Sequence, residues 1–433
     1  AEITGVTGPR IERIAALLKQ HSPSLVLAGA PVEGHAHGYQ SAAAVQLLNV
    51  ILGNIGQTIL PNGPFAFPQM AARTGNTRNL IAFAEAAKNK TLDVVFFYGA
   101  NPVYSAPAYL KLGEHLQNIS FKVAFSMFPD ETTQLADLVL PISSSMEDWG
   151  THVAAYQPEQ PVITVQQPLM ERLYGGTLSF GNLLLTLLKT RDPNGYGAWN
   201  DYYAYLKNAF VALPAEFKGT ATSDEEFWNQ ALQMGQLKVA ASSAAAPASA
   251  TMVEIMLPEL PAPDSKYPMH LVPSAQLGLW DGRHANLPWI QEAPDQITKV
   301  VWDSWAELHP STAAKLGIEQ GDILEIASEQ GVMTVKAIIY KGVHPDVVAV
   351  PMGQGHEDYG RYARGVGVNP LKILNPIVDA KTGELALYGT RVKVSGSGTA
   401  GKLVVEGHDN TSQLGRKLSA TIPAEQFRST EGA

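Results

Sequence analysis

Cysteine is absent from all 433 residues. That excludes disulfides, thiolate zinc sites and cysteine-ligated iron–sulfur clusters within this chain. It leaves the compartment open, because a cysteine-free protein tolerates oxidising and reducing surroundings alike. Charge is also scarce: charged residues are 16% against 45% hydrophobic, so the chain can bury real cores and does not read as disordered. Its length suggests two to four domains. The net charge is -9 and no cluster of Lys and Arg appears, which argues against a nucleic-acid partner. No run of about 18 apolar residues occurs, so no transmembrane helix is expected. No initiator Met or signal-like apolar stretch opens "AEITGVTGPRIERIAALL", so an upstream portion is expected to have been removed or the chain to be a segment of a longer one.

What is present changes character along the chain. Helical spacing in "GPRIERIAALLKQ", a short apolar run in "SLVLAGA" and a helix in "SAAAVQLLNVILGNIG" open a first region. "TRNLIAFAEAAKNK" reads as a helix, "LDVVFFYGA" as a strand, "APAYLKLGEHLQNI" as a helix and "FKVAFSMF" as a strand. "DETTQLADLVLPI" closes the series with a capped turn running into a strand. Strands alternating with helices predict a doubly wound parallel α/β sheet over residues 1–174. Residues 175–238 are helical and aromatic-rich, a helical excursion of the same domain. Residues 239–262 are an Ala/Ser/Pro-rich linker. From 263 to 433, short β-patterned runs between Gly, Pro and Asp turns predict a small β-barrel, interrupted by one helix at "HPSTAAKLGI".

Three Gly-bearing turns follow strands of the first region: "AGAPVEGHAHG", "YGANP" and "LPISSSMEDWGTH". Turns at the carboxyl ends of parallel strands face one crevice, where backbone N–H groups can cradle a polyanion. None matches G-x-G-x-x-G or a Walker loop, so ordinary βα connections explain them equally well. In "PDETTQLADLVLP", Asp130 or Thr132 can cap a helix start; the sharper alternative has Glu131 and Thr132 facing the crevice. His35 and His37 are spaced for a metal only in an extended strand and have no third ligand nearby. "GQGHEDYGRYARGVGVNPLKIL", with Arg361 and Arg364, is either a mobile loop or one that wraps a phosphate-rich ligand. No catalytic triad or paired catalytic carboxylates stand out, so the residues nominate no acid, base or nucleophile.

Taken together, these segments resemble the molybdopterin oxidoreductase superfamily of the dimethyl-sulfoxide-reductase type. The resemblance is carried by "LNVILGNIGQTILPNG", "YGANPVYSAP", "FPDETTQLADLVLPISSSMEDWGTH", "WAELHPSTAAKLGIEQGDILEIASEQGVMTVKAII" and "GVNPLKIL". It implies that residues 263–433 form a double-psi β-barrel, the dinucleotide-binding-like domain of that superfamily. Within it, "LGLWDGRHANLPWIQEAPDQITKVVWDSWAELHP" looks most similar to the B subunit of alternative complex III, with the menaquinone reductase large subunit next.

The resemblance implies a pterin crevice lined by Gly99, Asn101, Pro102, Glu131, Thr132, Asp137 and Asn369. It implies no catalytic or metal-ligating residue and no cofactor in this chain, with iron–sulfur clusters and haem on neighbouring regions or subunits. The expected role is a structural, electron-transfer scaffold in a membrane-bound quinol:acceptor oxidoreductase. The alternative is the cofactor-binding half of an active molybdenum bis-pterin enzyme. Implied partners are a ferredoxin-like iron–sulfur region or subunit, cytochrome c and integral membrane quinol-binding subunits. The implied location is peripheral, on the extracytoplasmic (periplasmic) face of a bacterial membrane.

Overall fold

The computed structural model describes residues 4–59, 75–153, 162–238 and 264–406. The Ala/Ser/Pro-rich linker and the end of the "LNVILGNIGQTILPNG" motif lie outside the described residues. Two units emerge: Ala1–Ser265 with Leu374–Thr390, and Lys266–Ile373 with Arg391–Ala433. The stretch 374–390 therefore belongs to the first unit, which a single boundary at residue 263 does not capture. Among the described residues, no helix is long and apolar enough to cross a membrane.

The first unit is built on a parallel sheet of β1 (Val94–Tyr98), β2 (Phe121–Ser126) and β3 (Leu138–Pro141), in that order. Runs such as "VVFFY" suit a strand because β-branched and aromatic side chains pack well on a pleated surface. Helices lie on both faces, as the doubly wound pattern requires. On one face, Phe97 and Ala124 pack with Ala84 and Ala87 of the helix Thr77–Lys88 and with Leu112 and Leu116. On the other, Val123, Phe125 and Ile142 meet Phe180 and Leu183 of the helix Phe180–Arg191. Asn76 and Asn79 form a reciprocal capping box that starts the helix Thr77–Lys88.

A second, antiparallel sheet of β4 (Gly150–Val153), β5 (Val162–Gln166) and β6 (Gln236–Lys238) supports the helical excursion. Its core joins Ile163 and Val165 to Phe210, Phe227 and Trp228. Ser223 caps the last helix of the excursion, three acidic residues fill its first turn, and Gly235 ends it in the left-handed region.

Two sequence expectations fail locally. "SLVLAGA" forms no strand: residues 24–29 have no ladder partner among the described residues, and Leu27 is 76% exposed. Buried Asn49 stands in for a neighbouring strand, accepting from Val26 N at 3.0 Å and donating to Val26 O at 2.8 Å. "APAYLKLGEHLQNI" is not one helix either. Lys111 adopts φ 46° and separates a single 3-10 turn from the short helix Leu112–Leu116.

The second unit is a closed six-stranded barrel in the order β10-β8-β11-β7-β12-β9. Its strands are β7 (Met269–Ser274), β8 (Trp305–Leu308), β9 (Asp322–Ala327), β10 (Val332–Ile339), β11 (Val347–Pro351) and β12 (Arg391–Ala400). The pairs β8–β10 and β7–β11 are parallel and the others antiparallel, giving the mixed, interlocked pairing expected of a double-psi barrel. Leu271, Leu308, Leu324, Ile326, Val348 and Val392 are wholly buried in it. The predicted helix spans Pro310–Leu316, with the His309 side chain accepting from Ser311 N at its start and Gly317 at φ 66° at its end.

Candidate functional site

The carboxyl ends of β1 and β2 carry a fastened pair of turns. After β1, Gly99 takes φ +56° and hydrogen-bonds through its N–H to Phe125 O at 2.9 Å. A Cβ placed on Gly99 would meet nothing within 4 Å, so its backbone faces open space that a ligand can approach. Pro102 then begins the helical turn Pro102–Ser105, where its missing N–H costs nothing. Asn101 precedes it but does not cap it. Instead its side chain reaches across to the turn after β2: Nδ2 donates to Glu131 Oε2 at 2.6 Å, and Oδ1 accepts from Thr132 Oγ1 at 2.8 Å and Thr132 N at 3.2 Å. Thr132 Oγ1 also accepts from Val103 N at 3.2 Å, which closes the loop of bonds.

Asp130, rather than Thr132, supplies the cap, accepting from Thr133 N at 2.7 Å. Burial pushes its carboxyl pKa up, opposed by the Thr133 hydrogen bonds. Thus Gly99, Asn101, Pro102, Glu131 and Thr132 form one local structure. Asp137 does not join it. It sits just before β3, at the amino end of the sheet, 2.7 Å from the Lys122 ammonium, and also takes the Lys122 backbone N–H at 2.7 Å. The Lys122 side-chain hydrogen bond, then its backbone one, hold the Asp137 pKa below the usual carboxylate range. A parallel strand separates the two ends by its length, so a carboxylate preceding β3 cannot reach the turns that follow β1 and β2.

Beside Gly99 opens a cavity of about 760 Å³, lined by Tyr98 and Gly99, Met127, Ser143 to Ser145, Asp148, His152 and the helix face bearing Phe180 and Leu184. One wall is aromatic: Tyr98 stacks on Phe180 with centroids 3.9 Å apart, and Tyr202 completes it. Gly181 permits that wall, since a Cβ there would lie 2.4 Å from Tyr202 Cγ. The Tyr202 pKa is raised, first by burial and then by the nearby Asp148 charge. The other wall is polar, with Ser, Thr, Asp and His groups. Glu147 braces it from behind, closing a capping box with Ser144 and accepting from Leu173 N at 2.8 Å. Sequence reasoning had singled out the turn "LPISSSMEDWGTH" but not Asp148 or His152 individually. Tyr202 and Gln166 come from elements far along the chain, which spacing cannot bring together.

In the second unit, buried Asn369 accepts from Leu371 N at 3.0 Å through Oδ1. It lines a cavity of about 320 Å³ with Gly355, His356, Gly367 and Lys372. The Gly-rich loop folds tightly on itself: a Cβ on Gly355 would lie 2.3 Å from Asn369 N, and one on Gly367 2.3 Å from Ser304 Oγ. Arg361 and Arg364 are exposed and do not line this cavity, while Lys372, paired with Glu357, does.

Residues 12–171 match the family model described as molybdopterin oxidoreductase, and residues 283–387 match the molydopterin dinucleotide binding domain. The chain belongs to the molybdopterin oxidoreductase superfamily. Among its relatives, the menaquinone reductase molybdopterin-binding-like subunit of Nitratidesulfovibrio vulgaris is 26% identical over 90% of this chain and 55% of that protein. The arsenate respiratory reductase molybdopterin-containing subunit of a Shewanella species is 25% identical over 77% of this chain and 48% of that protein. The acetylene hydratase structure from Pelobacter acetylenicus shares the fold, with a TM-score of 0.69 at 14% identity, over 91% of this chain and 64% of that one. This molybdopterin-family chain therefore spans about half the length of the curated relatives it matches.

These matches correct one expectation. No cofactor in this chain was the sequence reading, yet the dinucleotide-binding and molybdopterin oxidoreductase models cover both units and point to a bound molybdopterin. That expectation came with the likeness to the alternative complex III subunit and not from any residue of the chain. Missing cysteine excludes thiolate ligands alone, and backbone, hydroxyl and amide groups still line both cavities.

Proposed function

We propose that this chain is the pterin-holding portion of a multi-subunit oxidoreductase that exchanges electrons with a quinone pool. The carrying observation is the Gly99–Asn101–Glu131–Thr132 fastening beside an open glycine backbone at the carboxyl ends of β1 and β2. The likeness to a menaquinone reductase subunit over 90% of the chain supports the quinone assignment. Following the sequence resemblance, the complex is of the alternative complex III type, peripheral at the extracytoplasmic face of a bacterial membrane. Its partners are an iron–sulfur region or subunit, cytochrome c and membrane quinol-binding subunits.

Molybdopterin, when bound, supplies the two-electron redox chemistry of its metal. The protein residues provide position and electrostatics. Asn101 ties the two turns into one rigid rim, so that the Gly99 backbone is presented at a fixed place. The aromatic wall of Tyr98, Phe180 and Tyr202 offers stacking for a flat heterocycle, and Ser143 to Ser145 with Asp148 offer hydrogen-bond partners for its edge. In the barrel unit, the Asn369 loop supplies amide and backbone groups to its cavity, whose wall also carries the Lys372–Glu357 ion pair.

The deciding experiment is molybdenum and tungsten by elemental mass spectrometry on the protein purified from producing cells, with released pterin assayed by fluorescence. Near-stoichiometric pterin is expected. Neither metal nor pterin would sink the reading. An Asn101→Ala variant should lose most of its pterin while the chain remains folded by circular dichroism.

A further inference from the structure

The turn Gly353, Gln354, Gly355 opens the loop that lines the smaller cavity of the barrel unit. Both glycines have positive φ, 110° and 82°, so Gln354 carries the one side chain that can anchor the turn. That side chain is buried and is not part of the cavity wall. It meets Gln291 of the helix Pro288–Glu292, which is buried as well.

The two amides exchange hydrogen bonds. Gln354 Nε2 donates to Gln291 Oε1 at 2.6 Å, and Gln291 Nε2 donates to Gln354 Oε1 at 3.1 Å. Gln291 Nε2 also donates to Ala285 O at 2.8 Å, so both of its hydrogens are engaged and neither is left for a ligand. Its backbone carbonyl takes Trp302 N at 3.2 Å, which holds the helix end in place. A buried amide pair of this kind is directional, and unpairing one member strands the other.

The cavity wall is built directly on this anchor. Gly355 N–H donates to Val366 O at 2.7 Å and Gly365 N–H to His356 O at 2.8 Å, tying the two limbs of the loop together. A Cβ on Gly367 would lie 2.7 Å from Gln354 Cβ, so the far limb rests on Gln354 itself. A shift of Gln354 therefore carries Gly355 and Gly367 with it, and both line the cavity.

We propose that Gln291 is a positioning residue. By orienting Gln354, it fixes the Gly355 and Gly367 backbone and so sets how firmly the barrel cavity retains its share of the pterin nucleotide, without touching it. The inference rests on the pterin-holding reading for its ligand, and on the amide pair alone for the order of the loop.

The test compares wild-type protein purified from producing cells with Gln291→Met, Gln354→Met and the double variant. Met keeps the unbranched length of Gln and makes none of its hydrogen bonds. Three quantities are measured: amide exchange by mass spectrometry, the rate of pterin loss on dialysis, and the urea midpoint. In either single variant, exchange over residues 355–369 should be about tenfold faster while β9 and β10 are unchanged. Pterin should leave about fivefold faster, and the double variant should match the single ones, because both act through one contact. Removing Gln354 along with its partner leaves no stranded amide in the pair, so the urea midpoint of the double variant should rise above that of Gln291→Met.

Unchanged loop exchange in Gln291→Met would overturn the proposal, as would acceleration spread evenly over β9 and β10. Additive effects in the double variant would overturn it too. So would exchange and pterin retention that recover together with the urea midpoint, since a residue that only supports the fold behaves that way. Wild-type protein devoid of pterin would instead defeat the functional reading, and the exchange comparison on that same protein would still decide whether Gln291 positions the loop.

Discussion

The barrel and the parallel sheet solve the same problem unequally. Both are built from short apolar strands, but the barrel closes on itself and leaves no edge, so its inward side chains reach zero exposure. The three-stranded sheet ends at β1, where alternate side chains stand in solvent. Closure makes a strand's burial a property of the unit itself. An open sheet borrows burial from whatever lies against it.

Substitutions can break or sharpen that contrast. The largest effect is expected in the barrel: Trp305→Ala, at a side chain 2% exposed, should cost about 3–5 kcal/mol in denaturant unfolding of the second unit. A cost below about 1 kcal/mol would mean the barrel core is not packed as described. Next, Asn49→Ala should cost about 1–3 kcal/mol, because it strips partners from the Val26 backbone and from Asn54 Nδ2. Proteolysis within residues 24–29 would report the loosening. Asn101→Ala should cost about 1–2 kcal/mol, with its greater consequence in pterin content.

A pH titration sharpens the comparison further. Glu307, on β8, is largely buried, and burial raises its pKa from the ordinary 4.5, partly offset by the Trp305 indole N–H at 3.0 Å. An acid whose folded pKa is raised favours the protonated state in the fold. The contribution of Glu307 to barrel stability should therefore be greatest below pH 4.5, falling as pH climbs to that raised pKa and levelling off above it. In Glu307→Gln that decline should vanish from urea midpoints measured across the range. The smallest effect belongs to the open sheet: Phe96→Ser should change the stability of the chain alone by no more than about 0.5 kcal/mol. A large loss would show the face to be covered from within.

Much of this architecture was legible in the residues. Apolar strand-like runs located β1 and β2, helical spacing located the helix Thr77–Lys88, and Pro310 with Gly317 bracketed the barrel helix, because those signals are local. "SLVLAGA" misled because an apolar run says what wants burial, not whether a neighbour is there to provide it. The turn bearing Asn101 was legible as a place, but its bond to Glu131, thirty residues on, depends on two strands lying side by side. His152 and Tyr202 escaped notice because neither carries a local pattern, and the antiparallel sheet and a distant helix bring them to the same cavity.

The Asp137–Lys122 contact has a further meaning. Asp137 gives its N–H to Lys122 O at 2.9 Å, while one carboxylate oxygen takes both the backbone N–H and the ammonium of Lys122. These bonds sit immediately before the first registered pair of β2 and β3, Val123 with Leu138. They act as an index mark from which the remaining pairs are counted. A slip of one residue would turn Leu138 and Leu140 to the opposite face and Val139 in their place. The whole carboxyl-end rim would shift with it, Ser143 to Ser145 included. A carboxylate at the far end of the sheet can thus set where the cavity's polar wall falls without ever touching what the cavity holds.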